Sequence, residues 1–350
     1  MRRLRGLATA ALVVGGGAIA LGQLGRVWAP ADWLNHFFPL WIVVTLAGCA
    51  GLLRDRSRRW RRAGLILAAV VLVPAVISYL REAASHRDGS GAPVALRLVQ
   101  FNVFKGNSMP EAAARWILDQ KADVVVLEEA ADGGGKVRAL LSSAYPHAVD
   151  CVGLQTWCST VILTAEEPAE SGGLARGDPE NRNGLSAAWV RVAGPARRAT
   201  IVGVHLGRPW PFGDQAWQIE ELAHFLKTSD RDHAIVAGDF NQTPWTYAMR
   251  RQDRAIGLHR ITGDRASWPL REIAAPLGGS IVRTPPVLSI DHVYVGRCWA
   301  RSSIRSGPWL GSDHLPLVVD LKQLCDLPPN KWTGLSRSTL GVGWADVAQC

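Results

Sequence analysis

The chain has 350 residues, 48% of them hydrophobic, with 39 Lys and Arg against 30 Asp and Glu and a net charge of +9. That charge is local: residues 1–62 hold ten Arg, no Lys and only Asp32 and Asp55 as acids, so they carry +8 of it and leave the rest of the chain near +1. The basic pI therefore gives no argument for nucleic acid, and the placing of Arg beside apolar sequence argues for a membrane.

Three uncharged apolar stretches come first: GLATAALVVGGGAIALGQLG (6–25), LNHFFPLWIVVTLAGCAGLL (34–53) and AGLILAAVVLVPAVISYL (63–80). Each matches the length a helix needs to cross a hydrocarbon core of roughly 30 Å. MRRLR precedes the first, and RDRSRRWRR (54–62) separates the second from the third. Arg near span ends resists translocation, so both clusters are expected on the cytoplasmic side and everything after residue 80 on the other. The localisation expected is thus multi-pass in the cell (inner) membrane, with the large domain extracytoplasmic or periplasmic. The alternative, a cleaved leader made of MRRLR and the first run, meets no A-x-A pattern in GQLGRVWAP and would leave the large domain on the same side. The spans contain no ionisable residue except His36, at the edge of the second, which speaks against a channel or transporter subunit.

Residues 1–80 are thus expected as a membrane anchor and 81–93, REAASHRDGSGAP, as a linker. A domain over 94–322 and a C-terminal tail over 323–350, which lacks clear periodicity, complete the expected organisation. In the domain, strand-like runs alternate with turns: ALRLVQFNV, ADVVVLEEA, STVILT, LSAAWVRV, ATIVGVHL, HAIVAGDF, SIDHVYVG and LPLVVDL. PEAAARWILDQ (110–120) and DQAWQIEELAHFLK (214–227) instead carry apolar residues at helical spacing, with Pro110 and Asp214 as starts. Many short strands and few helices predict packed sheets with helices outside them. On an oxidising side, disulfides Cys151–Cys158 and Cys325–Cys350 are expected, leaving Cys298 over; no cysteine spacing resembles a zinc site.

The strand-like runs end in residues able to hold metal or phosphate. These are Asn102, Glu129, His205, Asp239 with Asn241, Asp291, and Asp313 with His314. In AIVAGDFNQTPW (234–245) an apolar run leaves a sheet through Gly238 and presents Asp239 and Asn241 two apart, on the same side of extended chain. Singly, each has a plain structural reading: an Asx turn, a solvated Glu, a satisfied core His. Their recurrence argues for a site, and carboxylate and amide oxygens suit Mg2+, with Mn2+ or Ca2+ as alternatives, better than zinc.

GDFN, SIDHV and GSDHLP, in that order over about 95–321, resemble the endonuclease/exonuclease/phosphatase (DNase I-like) superfamily, and GDFNQTPW with SWP (267–269) is similar to its bacterial membrane-anchored members. The resemblance implies an α/β fold, a four-layer α/β/β/α sandwich with the site at the loop ends, preceded here by three transmembrane helices. It implies that Asn102 and Glu129 bind the divalent ion with Asp313 nearby, that Asp239 orients or deprotonates the attacking water, and that Asn241 holds the phosphoryl group or that water. His314, paired with Asp291, would stabilise transition-state charge, and His205 would contact phosphate or protonate the leaving oxygen. Where the family often has Gln before the metal-binding Glu, this chain has Glu128, leaving Glu128 and Glu129 as candidates with Glu129 preferred. Phe104 stands where many abasic-site endonucleases carry an acid, which argues against a DNA-repair role.

The expectation is therefore a membrane-anchored, divalent-metal-dependent phosphoesterase hydrolysing a phosphodiester or phosphomonoester on the non-cytoplasmic side. The alternatives are an extracytoplasmic nuclease acting on DNA or RNA and a catalytically silent membrane binding module; filled catalytic positions favour an enzyme. The partners expected are the bilayer and a phosphate-ester substrate, either a lipid headgroup or nucleic acid. Of the 15 Trp, five (Trp157, Trp210, Trp245, Trp268 and Trp309) are candidates for lining a groove or meeting headgroups, with core packing the commoner fate.

Overall fold

A computed structural model of the chain describes residues 2–54, 57–84, 93–130, 135–151, 158–174, 184–194, 197–210, 213–270, 272–274 and 281–325. The first part is helical: α1 (Arg2–Gly22), a turn carrying the short α2 (Ala29–Asp32), α3 (Phe38–Leu53) and α4 (Arg58–Ala84). A Cβ at Gly48 of α3 would meet the Ala8 carbonyl of α1 at 2.8 Å, so the missing side chain is what lets these two helices approach.

Among the described residues two segments, Arg3–Arg26 and Ala29–Leu53, are long and apolar enough to cross a membrane, against the three expected. The third expected stretch, 63–80, lies inside α4, a helix that runs past it into charged sequence at both ends and has several side chains outside the described residues. The expected linker is also shorter at its start, because α4 continues through Ala84 and Glu82 pairs with Arg260.

The larger part runs β1 (Leu96–Asn102), α5 (Pro110–Gln120), β2 (Val124–Glu128), α6 (Gly135–Leu141), β3 (His147–Asp150), β4 (Val161–Thr164), β5 (Glu170–Leu174), β6 (Ser186–Gly194) and β7 (Arg197–His205). It continues with α7 (Asp214–Thr228), β8 (Ala234–Asp239), α8 (Tyr247–Ile256), β9 (His259–Arg260), the hairpin β10 (Glu272–Ala274) and β11 (Ile281–Arg283), β12 (Asp291–Val295), β13 (Trp299–Ser306) and β14 (Leu317–Gln323). Two six-stranded mixed sheets result, ordered β13-β14-β1-β2-β4-β3 and β5-β6-β7-β8-β12-β9.

The sheets face one another across an apolar layer: Leu98, Val126 and Ile162 from the first meet Val190, Ile201, Ile235 and Val293 from the second, all fully buried. On the outer face of the first sheet, Val99 and Val125 pack against Ile117 of α5 and Val137 of α6. On that of the second, Val202 and Val236 pack against Leu222 of α7 and Met249 of α8. Strands covered on both faces need apolar residues throughout, which is why β2 and β8 read as unbroken runs.

Pairing register places the chemistry at one end. β1 and β2 run parallel with Asn102 opposite Glu128, and β7 and β8 run parallel with His205 opposite Asp239. Both pairs therefore release their polar C-terminal residues at the same edge. β12 runs antiparallel to β8 with Asp291 opposite Asp239, so it enters where the others leave.

The expected disulfide Cys151–Cys158 is present. Cys325 bonds Cys298 rather than Cys350, because β13 and β14 pair antiparallel and bring the two close, with Cα atoms 4.9 Å apart; Cys350 lies outside the described residues.

Candidate active site

Asp239 Oδ2 is the point on which the two sheets converge. Asn102 Nδ2 donates to it at 3.1 Å, and Nε2 atoms of His205 and His314 each lie 3.7 Å from it. The other oxygen, Oδ1, accepts the Asn241 backbone N–H at 2.8 Å, which folds the turn back on the carboxylate. The Asn241 side chain donates to the Leu206 carbonyl, tying this loop to the one after His205. Gly238 before it has φ +155, and a Cβ there would run into the Val204 carbonyl, so the strand can leave the sheet here only as glycine.

His314 is buried and bonded through Nδ1 to Asp291 Oδ2 at 2.8 Å. Burial pulls its imidazole down, but Asp291, Asp239 and Asp313 outweigh this and push it up to about 9. Burial likewise raises Asp291, and His314 overrides it to hold that carboxyl below its ordinary value. Asp239 goes the other way, raised by burial against the pull of His314. The site thus holds an imidazolium between one firmly ionised carboxylate and one more basic than usual. His205 is oriented by Ser159, whose Oγ is 2.8 Å from Nδ1, so that Nε2 faces Asp239.

Glu129 and Glu128 part company. Glu129 has φ +54, and its Oε1 is 3.4 Å from Asn102 Nδ2 while Oε2 accepts the Lys105 N–H. Glu128 points the opposite way and is fully buried, accepting from Gln100 Nε2 at 2.9 Å; the same amide reaches Asp291 Oδ1 at 2.8 Å. Burial, Asp291 and Asp239 push the Glu128 carboxyl well up. Glu129 and the buried Asp239 thus both accept from the Asn102 amide nitrogen, while Asn102 Oδ1 accepts the Phe104 N–H; the oxygens these three side chains carry are of the hard kind that suits Mg2+, Mn2+ or Ca2+.

Asp313 Oδ2 accepts the Trp268 indole N–H at 3.0 Å, and its charge acts on His314. Its buried Oδ1 has no partner. Asp239, Asp291 and His314 have ligand atoms within 4.8 Å of one another, but the Asp291–His314 hydrogen bond already engages two of them. In the other such cluster, His233 with Cys298 and Cys325, both thiols are in the disulfide.

Three residues holding this site together carry little sequence signal. Gln100 is an isolated polar residue inside an apolar strand, and Ser159 sits beside a cysteine. Ser312 donates to the Asn102 carbonyl at 2.7 Å and accepts the His314 N–H at 3.0 Å, joining the first and last site residues. Four non-glycine residues have positive φ among those described, and Phe104, Glu129 and Asn241 are at the site; such strain persists where surrounding structure enforces it.

Residues 99–314 match the model of the Endonuclease/Exonuclease/phosphatase family. Comparison with curated proteins returns no match. Among solved structures the chain is similar to an endonuclease/exonuclease/phosphatase from Bacteroides vulgatus at 16% identity and TM-score 0.50, over 65% of this chain and 98% of that one. It is also similar to sphingomyelinase C from Streptomyces griseocarneus, at 20% identity and TM-score 0.47 over 65% and 99%. A third is a magnesium-bound beta toxin variant from Staphylococcus aureus, at 15% and 0.47 over 64% and 99%. The family match covers more than half of the chain, and the two-sheet fold agrees with it: this protein belongs to the endonuclease/exonuclease/phosphatase family of metal-dependent phosphoester hydrolases.

Proposed function

We propose that this is a membrane-anchored phosphodiesterase acting on the non-cytoplasmic side, on the phosphodiester of a lipid headgroup. The observation that carries the chemistry is the convergence of Asn102, His205 and His314 on Asp239 Oδ2. Asn102 and Glu129, with Asp313 nearby, would hold a divalent ion, whose chemistry when bound is to neutralise charge on phosphoryl oxygens. Asp239, made more basic by burial, accepts a proton from the attacking water, and Asn241 fixes its orientation from behind. His314, held as a cation by Asp291, donates to a phosphoryl oxygen and favours the transition state, where negative charge is greatest. His205, whose Nε2 also lies 3.7 Å from Asp239 Oδ2, would protonate the leaving oxygen.

Charge and the ends of the helices support this membrane side. Arg5 stacks over Trp60, gathering the arginine-rich ends of α1 and α4. The opposite ends, carrying Asp32 and Glu82, touch the catalytic domain. Two disulfides in that domain suit an oxidising compartment. Its near-neutral charge disfavours nucleic acid as substrate.

Hydrolysis of phospholipid, single- and double-stranded nucleic acid, and sugar phosphates by the purified full-length protein, with Mg2+ or EDTA, tests this. Mg2+-dependent release from phospholipid is expected, abolished by Asp239→Ala and by His314→Ala with the fold retained. Wild-type turnover in either variant would overturn the site; preferential cleavage of nucleic acid would overturn the substrate.

A further inference from the structure

A cavity of about 230 Å3 lies where the membrane helices meet the catalytic domain, with Phe38, Ile77, Ser78, Trp245, Tyr247 and Arg250 among the residues that line it. It has a cationic side and an apolar side. Arg250 sits with its guanidinium carbon 4.8 Å from the Tyr247 ring centroid, and among the described residues no carboxylate pairs with it. Opposite, Phe38 stacks near Trp245 at 5.9 Å, and Ile77 comes from α4.

Ile77 also belongs to a row on α4. Ile66, Val70, Val73, Ile77 and Leu80 recur at helical spacing, and each is between 44% and 64% exposed. A helix face of this kind, exposed among the described residues, is what a span presents to acyl chains. The row runs along the helix and ends at the cavity, where the cation is. An apolar track leading to an unpaired guanidinium with hydroxyls and amides around it matches one ligand: a phospholipid with an anionic headgroup.

We propose that this junction is a binding site for an anionic phospholipid, with its phosphoglycerol headgroup on Arg250 in the cavity and an acyl chain along the exposed row of α4. The volume admits the headgroup and not the chains, which fits that division. The site rests on the membrane reading above and is independent of the chemistry at Asp239. Trp245 follows Asn241 by four residues in one loop, so a lipid held here lies against the chain segment that shapes the catalytic turn.

The test is native mass spectrometry of the full-length protein released from nanodiscs of phosphatidylglycerol or phosphatidylcholine. Retention of phosphatidylglycerol well above phosphatidylcholine is expected, with about a tenfold loss in Arg250→Gln, as for one lost charge-assisted contact. Ser78→Phe, which fills the cavity from α4 and leaves the cation in place, is expected to lower retention too. Equal retention of the two lipids, or retention unchanged in both variants, would overturn the site. So would a lipid-free dimer, in which a second copy covers the row. Hydrolysis of a water-soluble phosphodiester is read in parallel and is expected unchanged in both variants. Its absence in the wild type would sink the phosphoesterase reading while the lipid count still decides this one.

Discussion

Asp32 and Tyr247 join the N-terminal helices to the two-sheet part of the chain. Asp32 Oδ1 accepts the Tyr247 backbone N–H at 2.8 Å and Oδ2 that of Ala248 at 2.7 Å, while Thr246 accepts that of Met249. Three of the four free donors at the start of α8 are thus satisfied, two of them by a residue more than 200 positions away. A buried carboxylate at a helix N-terminus also meets the positive end of its dipole. Asp32→Ala is expected to cost the full-length protein about 1–2 kcal/mol, read as a lowered urea midpoint in detergent, and Asp32→Asn less. An unchanged midpoint in Asp32→Ala would mean that the two parts are merely tethered.

Glu82 makes the second join. Its carboxylate grips Arg260 through both oxygens, at 2.5 and 2.9 Å, and Asp253 braces the same guanidinium at 3.1 Å. Both partners are nearly buried, so removing one leaves the other uncompensated. Arg260→Met is expected to destabilise the protein by about 3–5 kcal/mol. Arg260→Met with Glu82→Leu should recover much of that loss, and a double-mutant cycle in thermal unfolding measures the coupling. Additive losses would remove Glu82 as the partner.

The long apolar strands were legible because burial on both faces leaves no choice of residue, and the ends of α5 and α7 were legible because Pro110 and Asp214 mark them. α8 was not: only Met249 and Ile256 are strong apolar markers on its buried face, and its first turn is capped from Asp32, which no local pattern reveals. β13 was missed because as an edge strand it needs apolar residues only at its start. The site residues could be named because each ends a strand, but their convergence depends on register between strands, and so does the role of Gln100, which bridges β2 and β12 from within β1. The Cys298–Cys325 pairing likewise follows from β13 lying against β14, a fact about topology and not spacing.

Lys121 offers a stability gain without touching the site. It closes α5 in the left-handed conformation at φ +51, and its N–H bonds the Leu118 carbonyl. Glycine takes that conformation without a Cβ clash, which at C-caps outweighs its greater freedom when unfolded. Lys121→Gly is expected to stabilise by about 0.5–1 kcal/mol with hydrolysis unchanged; a lower melting temperature would show that the lysine side chain contributes there.

The His314 cation predicts a pH limb. Its value rises from 6.5 to about 9 on folding, so its contribution to stability is complete below 6.5 and is lost as pH climbs through 9. In EDTA, the wild-type melting temperature is expected to fall between those limits more steeply than that of His314→Gln, by the equivalent of a few kcal/mol. Parallel curves for the two proteins would mean that the imidazole is neutral in the fold.

The paired acids at the end of β2 give the sharpest contrast. Glu128 is fully buried, and burial, reinforced by Asp291 and Asp239, pushes its carboxyl well up, which favours the neutral form. Gln is then nearly isosteric and isoelectronic with it, and can still bond Gln100. Glu128→Gln is expected to keep hydrolysis within about threefold and stability within about 1 kcal/mol, since a neutral bonded group replaces another. Glu129 instead offers a carboxylate beside Asn102, and its loss should remove a cation ligand worth several kcal/mol in the transition state. Glu129→Gln is therefore expected to lower Mg2+-dependent turnover at least about 100-fold and to weaken Mg2+ binding in calorimetry. The reverse pattern, with Glu128→Gln inactive and Glu129→Gln active, would transfer the ligand role to the buried acid and require the β2 end to turn over.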